Sequence, residues 1–220
     1  PEPYYEWEGQ IVVDLPGARA LFTTVAWGDM RQTAQAISRR LELDLALPTQ
    51  VHGTAVAVAG GASAGEPADA VVTRERGRAA AVLTADCVPI LISGGDAVAA
   101  VHAGWKGLRA GVIDNSVRVL RDQMANHEAA LTAVIGPAAG ACCYEVGEEL
   151  HDAFARRGQD FRQGANLDLH AIARAQLAHA GVGTIIDGGI CTICSDPNLL
   201  FSHRRDHGTS GRQGAIVWLT

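Results

Sequence analysis

Two histidines and one cysteine, His52, Cys87 and His102, lie in stretches that read as the ends of buried strands: QVHG (50–53), LTADCVPILI (83–92) and AAVHAGWKGL (99–108). Each stands beside an apolar run and near Gly, Asp or Pro, where layered α/β proteins build their sites. Two imidazoles and one thiolate are three ligands of a tetrahedral metal site. The fourth position stays open to water or substrate, as catalysis requires. A divalent ion there would hold the thiol deprotonated and acidify a bound water toward neutral pH. The same residues also permit Cys87 to attack an acyl or glycosyl carbon with His52 or His102 as its base. A third reading is inert packing, because an apolar-flanked His or Cys is commonly a core residue. The pattern alone leaves all three open. Asp86, next to the cysteine, could orient a ligand or accept a proton, or could cap the strand as a turn residue.

The elements that must position these residues alternate between strand and helix. Short runs rich in Val, Ala and Ile predict strands at 11–14, 20–24, 51–59, 70–73, 80–84, 89–92 and 97–102, with further strands at 131–135, 184–186 and 215–219. Apolar residues at three- and four-residue intervals predict helices over 30–43, 108–124, 145–157 and 167–180, with Gly158 and Gly181 at the expected helix ends. Residues 188–210 show no clear period and read as a long loop. The Gly/Ala/Ser stretch 60–65 reads as a surface turn.

Composition bounds the partners. A chain of 220 residues, 48% hydrophobic and without a convincing linker, is read as one domain spanning 1–220. A formal net charge of -6 and a pI near 5.7 leave no general basic field for a nucleic-acid backbone. No apolar run approaches bilayer length, and the acidic N-terminus does not resemble an export signal. The expectation is a soluble cytoplasmic protein that contacts neither nucleic acid nor membrane. Its five cysteines, Cys87, Cys142, Cys143, Cys191 and Cys194, are odd in number in a chain that needs no disulfide staples, so they are read as reduced thiols. Cys191 and Cys194 form a lone C-x-x-C, which by itself is weak support for zinc. With Cys142 and Cys143 they are taken as packing or loop thiols.

Taken in order, QVHG, ADAVVT, LTADCVPILI, AVHAGWKGL, IGPAAGACCYEVGEEL, LDLHAIARAQLAHAGV, CTICSDPNLLFSHRRD and GRQGAIVWL strongly resemble the bacterial laccase-domain family. That family is also described as multicopper polyphenol oxidase, purine nucleoside phosphorylase and peptidoglycan editing factor. The resemblance runs from about Thr49 to Thr220. It implies a single α/β domain, a layered sandwich with mixed sheets, in which His52, Cys87 and His102 bind a metal. The implied activity is phosphorolysis of adenosine, inosine, guanosine and methylthioadenosine, with hydrolytic deamination of adenosine. Copper-dependent oxidation of phenols is the alternative, and a Cys–His hydrolase or a peptidoglycan editing factor is a further one.

The ligand chemistry favours the nucleoside reading. Cys with two His suits Zn2+ and would accept Cu2+, but one such set does not serve a several-copper oxidase. This chain has eight histidines, and His127, His151 and His179 are read as lying on solvated helix faces. Phosphorolysis also needs donors for an anion. Candidates are Arg204 and Arg205 in FSHRRD, Lys106 in GWKG and the helix N-terminus near Gly107, each of which could equally be solvated surface charge. His203 and His207 flank the arginines, although Tyr is common in the family at position 203. Trp105 is read as a packing residue. The N-terminal segment departs from the family's pattern, because FTTVAWGD (22–29) leads directly into a helix without the expected Gly-rich stretch and Arg. Arg31 is read either as the counterpart of the family's Asn-Arg pair, with Met30 in place of the Asn, or as an ordinary surface arginine.

Overall fold

A computed structural model describes residues 3–60, 66–155 and 160–220. Strands β1 (Tyr5–Trp7), β2 (Gln10–Leu15) and β3 (Ala18–Phe22), the last two built from mostly apolar segments, precede the first helix, α1 (Met30–Leu41). Next come β4 (Asp44–Ala46), β5 (Val56–Val58), β6 (Ala70–Thr73), β7 (Arg78–Thr84), β8 (Val88–Ser93) and β9 (Val98–Ala103). Helices α2 (Trp105–Ala110) and α3 (Val112–Gln123), β10 (Thr132–Ile135) and α4 (Glu148–Ala155) follow. The chain ends with the small hairpin β11 (Arg162–Gln163) and β12 (Asn166–Leu167), α5 (Leu169–His179), β13 (Thr184–Asp187) and β14 (Gln213–Leu219).

Two six-stranded mixed sheets, ordered β1-β2-β3-β14-β7-β4 and β13-β10-β8-β9-β6-β5, pack face to face. Their shared core joins Val13, Phe22, Val82 and Val217 of the first sheet to Val71, Leu91, Ala100 and Val134 of the second. The outer face of the second sheet is covered by α2, α3, α4 and α5 through residues such as Leu108, Leu120, Phe154 and Ile172. The outer face of the first takes Met30 and Ile37 of α1. The result is a four-layer α/β/β/α sandwich. Strand parity assigns the layers: in β8, Val88, Ile90 and Ile92 face the helices, while Leu91 faces the other sheet.

Several predicted elements are corrected. The strand expected over 51–59 is confined to Val56–Val58, because the backbone N–H groups of 51–53 turn toward the Asp69 carboxylate. The helix expected over 108–124 is two helices divided at Gly111, whose φ of 94° no continuous helix accepts. β1, β4 and the β11–β12 hairpin were not foreseen. Their two or three residues are too short to show a period. His151 is buried rather than solvated, with Nε2 donating to the Ala165 carbonyl at 3.2 Å, and His127 is exposed in the turn after α3. Gly158, the predicted helix end, and 61–65 of the predicted surface turn lie outside the described residues. No helix among the described residues is long and apolar enough to cross a membrane.

Candidate metal centre

The centre is organised by a residue to which the sequence reading gave no role. β6 and β9 run antiparallel with Ala70 opposite Val101, and one step further the His102 N–H donates to the Asp69 carbonyl at 2.7 Å. Parity turns both side chains toward the other sheet. There His102 Nδ1 meets Asp69 Oδ1 at 2.8 Å, with both groups buried. With Nδ1 so engaged, Nε2 is the ring nitrogen left for a ligand or substrate.

The same carboxylate accepts the backbone N–H groups of Val51 (3.2 Å), His52 (2.9 Å) and Gly53 (2.6 Å). These charge-assisted bonds hold His52 at φ 59°, left-handed backbone that a non-glycine residue rarely adopts. Gln50 fastens the segment to β7: its Oε1 accepts the Leu83 N–H at 2.7 Å and its Nε2 donates to the Leu83 carbonyl at 2.8 Å.

Cys87 projects from the turn between β7 and β8, where Asp86 has φ 85°. Asp86 itself is turned away to the 188–210 segment. Its Oδ1 accepts from Thr192 Oγ1 and its Oδ2 from the Arg204 N–H, both at 2.6 Å. Gly104, just past β9, leaves the room that Cys87 and His52 need. A Cβ there would lie 3.1 Å from both Cys87 Sγ and His52 Cδ2.

One ligand atom from each of His52, Cys87 and His102 lies within 4.8 Å of the others, and the two imidazoles meet edge to face at 4.8 Å between centroids. Burial raises the Cys87 thiol, but hydrogen bonds from His102 and His52 bring it down to about 6. Burial lowers His102, yet Asp69 and Cys87 bring it up to about 9. Without a metal the pair is therefore a thiolate beside an imidazolium. A divalent cation in place of the shared protons satisfies the same donors, so the set fits one ion with a free fourth position. The three side chains line a cleft of about 460 Å³ together with Pro48, Leu83, Thr84, Arg31 and Arg212.

Of the predicted substrate residues, Arg31 lines this cleft, tied to Asp29 and to the Ser210 carbonyl. His203 lines it too. Arg204 instead stacks 5.0 Å over the Tyr144 ring, donates to the Glu145 carbonyl and faces a separate cavity of about 480 Å³. Arg205 is built into the fold. It donates to the carbonyls of Thr192 (3.0 Å) and Leu200 (2.8 Å) and pairs with Asp206. Lys106 lies over the Trp105 ring, whose own face packs on the core. The helix expected near Gly107 begins at Trp105 and has six residues. Arg212 was missed because nothing in GRQG marks it. Its backbone just before β14, bonded to the Asp29 carboxylate and the Met30 N–H at the start of α1, carries it to the cleft.

A family model described as multi-copper polyphenol oxidoreductase laccase matches residues 26–220. The protein named purine nucleoside phosphorylase YfiH in Shigella flexneri is 36% identical, over 94% of this chain and 89% of its own. A purine nucleoside phosphorylase of Streptomyces coelicolor is 42% identical over 77% of this chain and 73% of its own. Among solved structures, a Neisseria meningitidis protein superposes with a TM-score of 0.81 at 31% identity, covering 96% of this chain and 99% of that one. YlmD from Geobacillus stearothermophilus gives 0.82 at 28% identity, covering 100% and 99%.

Proposed function

This chain belongs to the multi-copper polyphenol oxidoreductase laccase family, and from that premise we propose that it is a zinc-dependent purine nucleoside phosphorylase that also deaminates adenosine. The observation that carries the reading is the convergence of His52, Cys87 and His102 on a cleft that also holds two arginines. The name shared by relatives at 36–42% identity supports nucleoside chemistry. The donor set suits zinc and would accept copper, but two imidazoles and one thiolate serve a single ion, fewer donors than an oxidase with several coppers requires.

A zinc ion held by the three side chains would supply Lewis acidity at the fourth position. The remaining work falls to the chain's own groups. Asp69 fixes the tautomer of His102 and the backbone of His52, so both rings are set before substrate arrives. Arg31 and Arg212 offer guanidinium donors to phosphate. The Pro48 and Leu83 side chains give the purine an apolar wall. Phosphate oxygen attacks the anomeric carbon as the bond to the purine nitrogen breaks, giving ribose-1-phosphate. His203, at the exposed side of the cleft, gives a proton to the departing base. Adenosine, inosine, guanosine and methylthioadenosine share the purine and ribose this site would grip. In deamination, water replaces phosphate and attacks the purine carbon bearing the amino group; the carbon–nitrogen bond then breaks and ammonia leaves, giving inosine.

Incubation of adenosine with and without phosphate, with separation of products, tests the reading. Adenine and ribose-1-phosphate should form only with phosphate, and inosine in both. Chelation should abolish turnover and zinc restore it. Full turnover after thorough chelation would establish the Cys–His hydrolase instead. Oxidation of phenols by copper-loaded protein, with the zinc form inert toward nucleosides, would establish the oxidase.

A further inference from the structure

We propose that Cys142, Cys143, Cys191 and Cys194 form a second, structural zinc site that locks the loop after β10 to the loop after β13. The sequence shows only an adjacent pair and a distant C-x-x-C. The fold brings their four sulfurs within 4.8 Å of one another, with Cys142 Sγ and Cys194 Sγ 3.6 Å apart. Four sulfurs about 2.3 Å from a zinc ion in a tetrahedron stand about 3.8 Å from each other, so the cluster is already near the required size.

The backbone around it is built to receive charge. Cys191 lies in a short parallel bridge with Ala138, formed by Ala138 N–H to the Ile190 carbonyl (3.1 Å) and Thr192 N–H to the Ala138 carbonyl (2.9 Å). The Gly140 N–H donates to Cys191 Sγ at 3.3 Å. N–H groups aimed at a sulfur stabilise a thiolate. Four thiols this close cannot all ionise unless a cation replaces their protons. Gly140 also marks the crowding, since a Cβ there would lie 2.9 Å from Cys191 Cβ and 3.2 Å from Cys142 Sγ and Cys191 Sγ.

Four protein sulfurs fill a tetrahedron and leave no position for substrate, so this site braces rather than reacts. What it braces is Thr192, two residues before Cys194, whose hydroxyl donates to Asp86 beside Cys87. Arg205 holds the same loop from the other side through the Thr192 carbonyl.

The test uses the full chain carrying H52A, C87A and H102A, purified from zinc-supplemented culture and dialysed. About one zinc per chain should remain, with an X-ray absorption first shell of four sulfurs at about 2.3 Å, and adding C191S and C194S should remove it. Should the triple variant misfold, wild-type protein answers the same question: two zinc per chain should average between two and three sulfurs each, against about one sulfur if only the His52 site fills. Loss of zinc from the triple variant while folded, nitrogen or oxygen in its first shell, or an intact mass showing a Cys142–Cys194 disulfide in place of metal would each overturn the proposal.

Discussion

Asp69 and His102 hold each other twice, backbone to backbone at 2.7 Å and carboxylate to imidazole at 2.8 Å, so one buried residue sets both the position and the tautomer of the other. Because the same carboxylate also receives three N–H groups around His52, replacing it disturbs two of the three candidate ligands together. Asp69→Asn keeps the shape but puts an N–H₂ group where an acceptor is needed. Metal affinity should fall by about 10- to 100-fold, read by competition with a chromophoric chelator. An unchanged affinity in a folded variant would remove Asp69 from the centre.

Gly104 tests the space rather than the charge. Its φ of −70° accepts alanine without backbone strain, so the only cost of Gly104→Ala is the new methyl group against Cys87 Sγ and His52 Cδ2. Metal affinity and turnover should both drop. Stability should change by no more than about 1–3 kcal/mol, the usual cost of overpacking. A variant that binds zinc like wild type would show that the two side chains do not need this room.

How much of this was legible in the sequence depends on the range of the signal. His52, Cys87 and His102 each sit where an apolar run meets a glycine or proline, a local mark, and so could be selected without a structure. Asp69 stands at the start of an equally apolar run, but its role is created by the β6–β9 register and by a loop 16 to 18 residues earlier. Cys142 and Cys143 meet Cys191 and Cys194 only because β10 and β13 are parallel neighbours. The strands of 4–7 residues were read closely, whereas the left-handed turn at Gly111 splits what the apolar period makes one helix. Arg205 looked like an anion ligand because its charge is visible in sequence and its carbonyl partners are not.

In metal-free protein the thiolate–imidazolium pair sets the pH dependence. The Cys87 thiol is brought down to about 6, so its contribution to stability is complete above the ordinary thiol range and lost as pH falls through about 6. His102, brought up to about 9, contributes fully below the ordinary imidazole range and loses this as pH rises through about 9. Alkylation of Cys87 by iodoacetamide, followed by peptide mapping, should therefore show a midpoint near pH 6 in the metal-free chain, and added zinc should slow it. A midpoint in the ordinary thiol range would contradict the pairing.

A second carboxylate, Asp187 at the end of β13, fastens α5 to the sheet. It accepts from His170 Nδ1 and from the Gly189 N–H, both at 2.9 Å, and pairs with Arg174. Burial raises it, but His170, the Gly189 N–H and Arg174 bring it down to about 2. Its stabilisation is thus present above the unfolded carboxyl range and lost as pH falls through about 2. Asp187→Asn should cost about 1–3 kcal/mol at neutral pH, measured by urea unfolding, and the gap from wild type should close in strong acid. A gap that persists there would mean that packing, not charge, is responsible.

The arginines separate binding from folding. Arg31 and Arg212 face the cleft, whereas Arg205 donates to the Thr192 and Leu200 carbonyls and is mostly shielded. If the cleft takes phosphate as proposed, Arg31→Ala and Arg212→Ala should each raise the KM for phosphate about 10-fold or more, since a charge-assisted hydrogen bond is worth about 1.5–3 kcal/mol. The KM for nucleoside should move much less. Arg205→Ala should leave the phosphate KM of the folded fraction near wild type and lower stability by about 1–3 kcal/mol, because it strips carbonyls of their donor. Initial rates over a phosphate series, paired with thermal unfolding of each variant, distinguish the two roles. A phosphate KM that responds to Arg205 but not to Arg31 or Arg212 would move the anion site out of this cleft and toward the 188–210 segment.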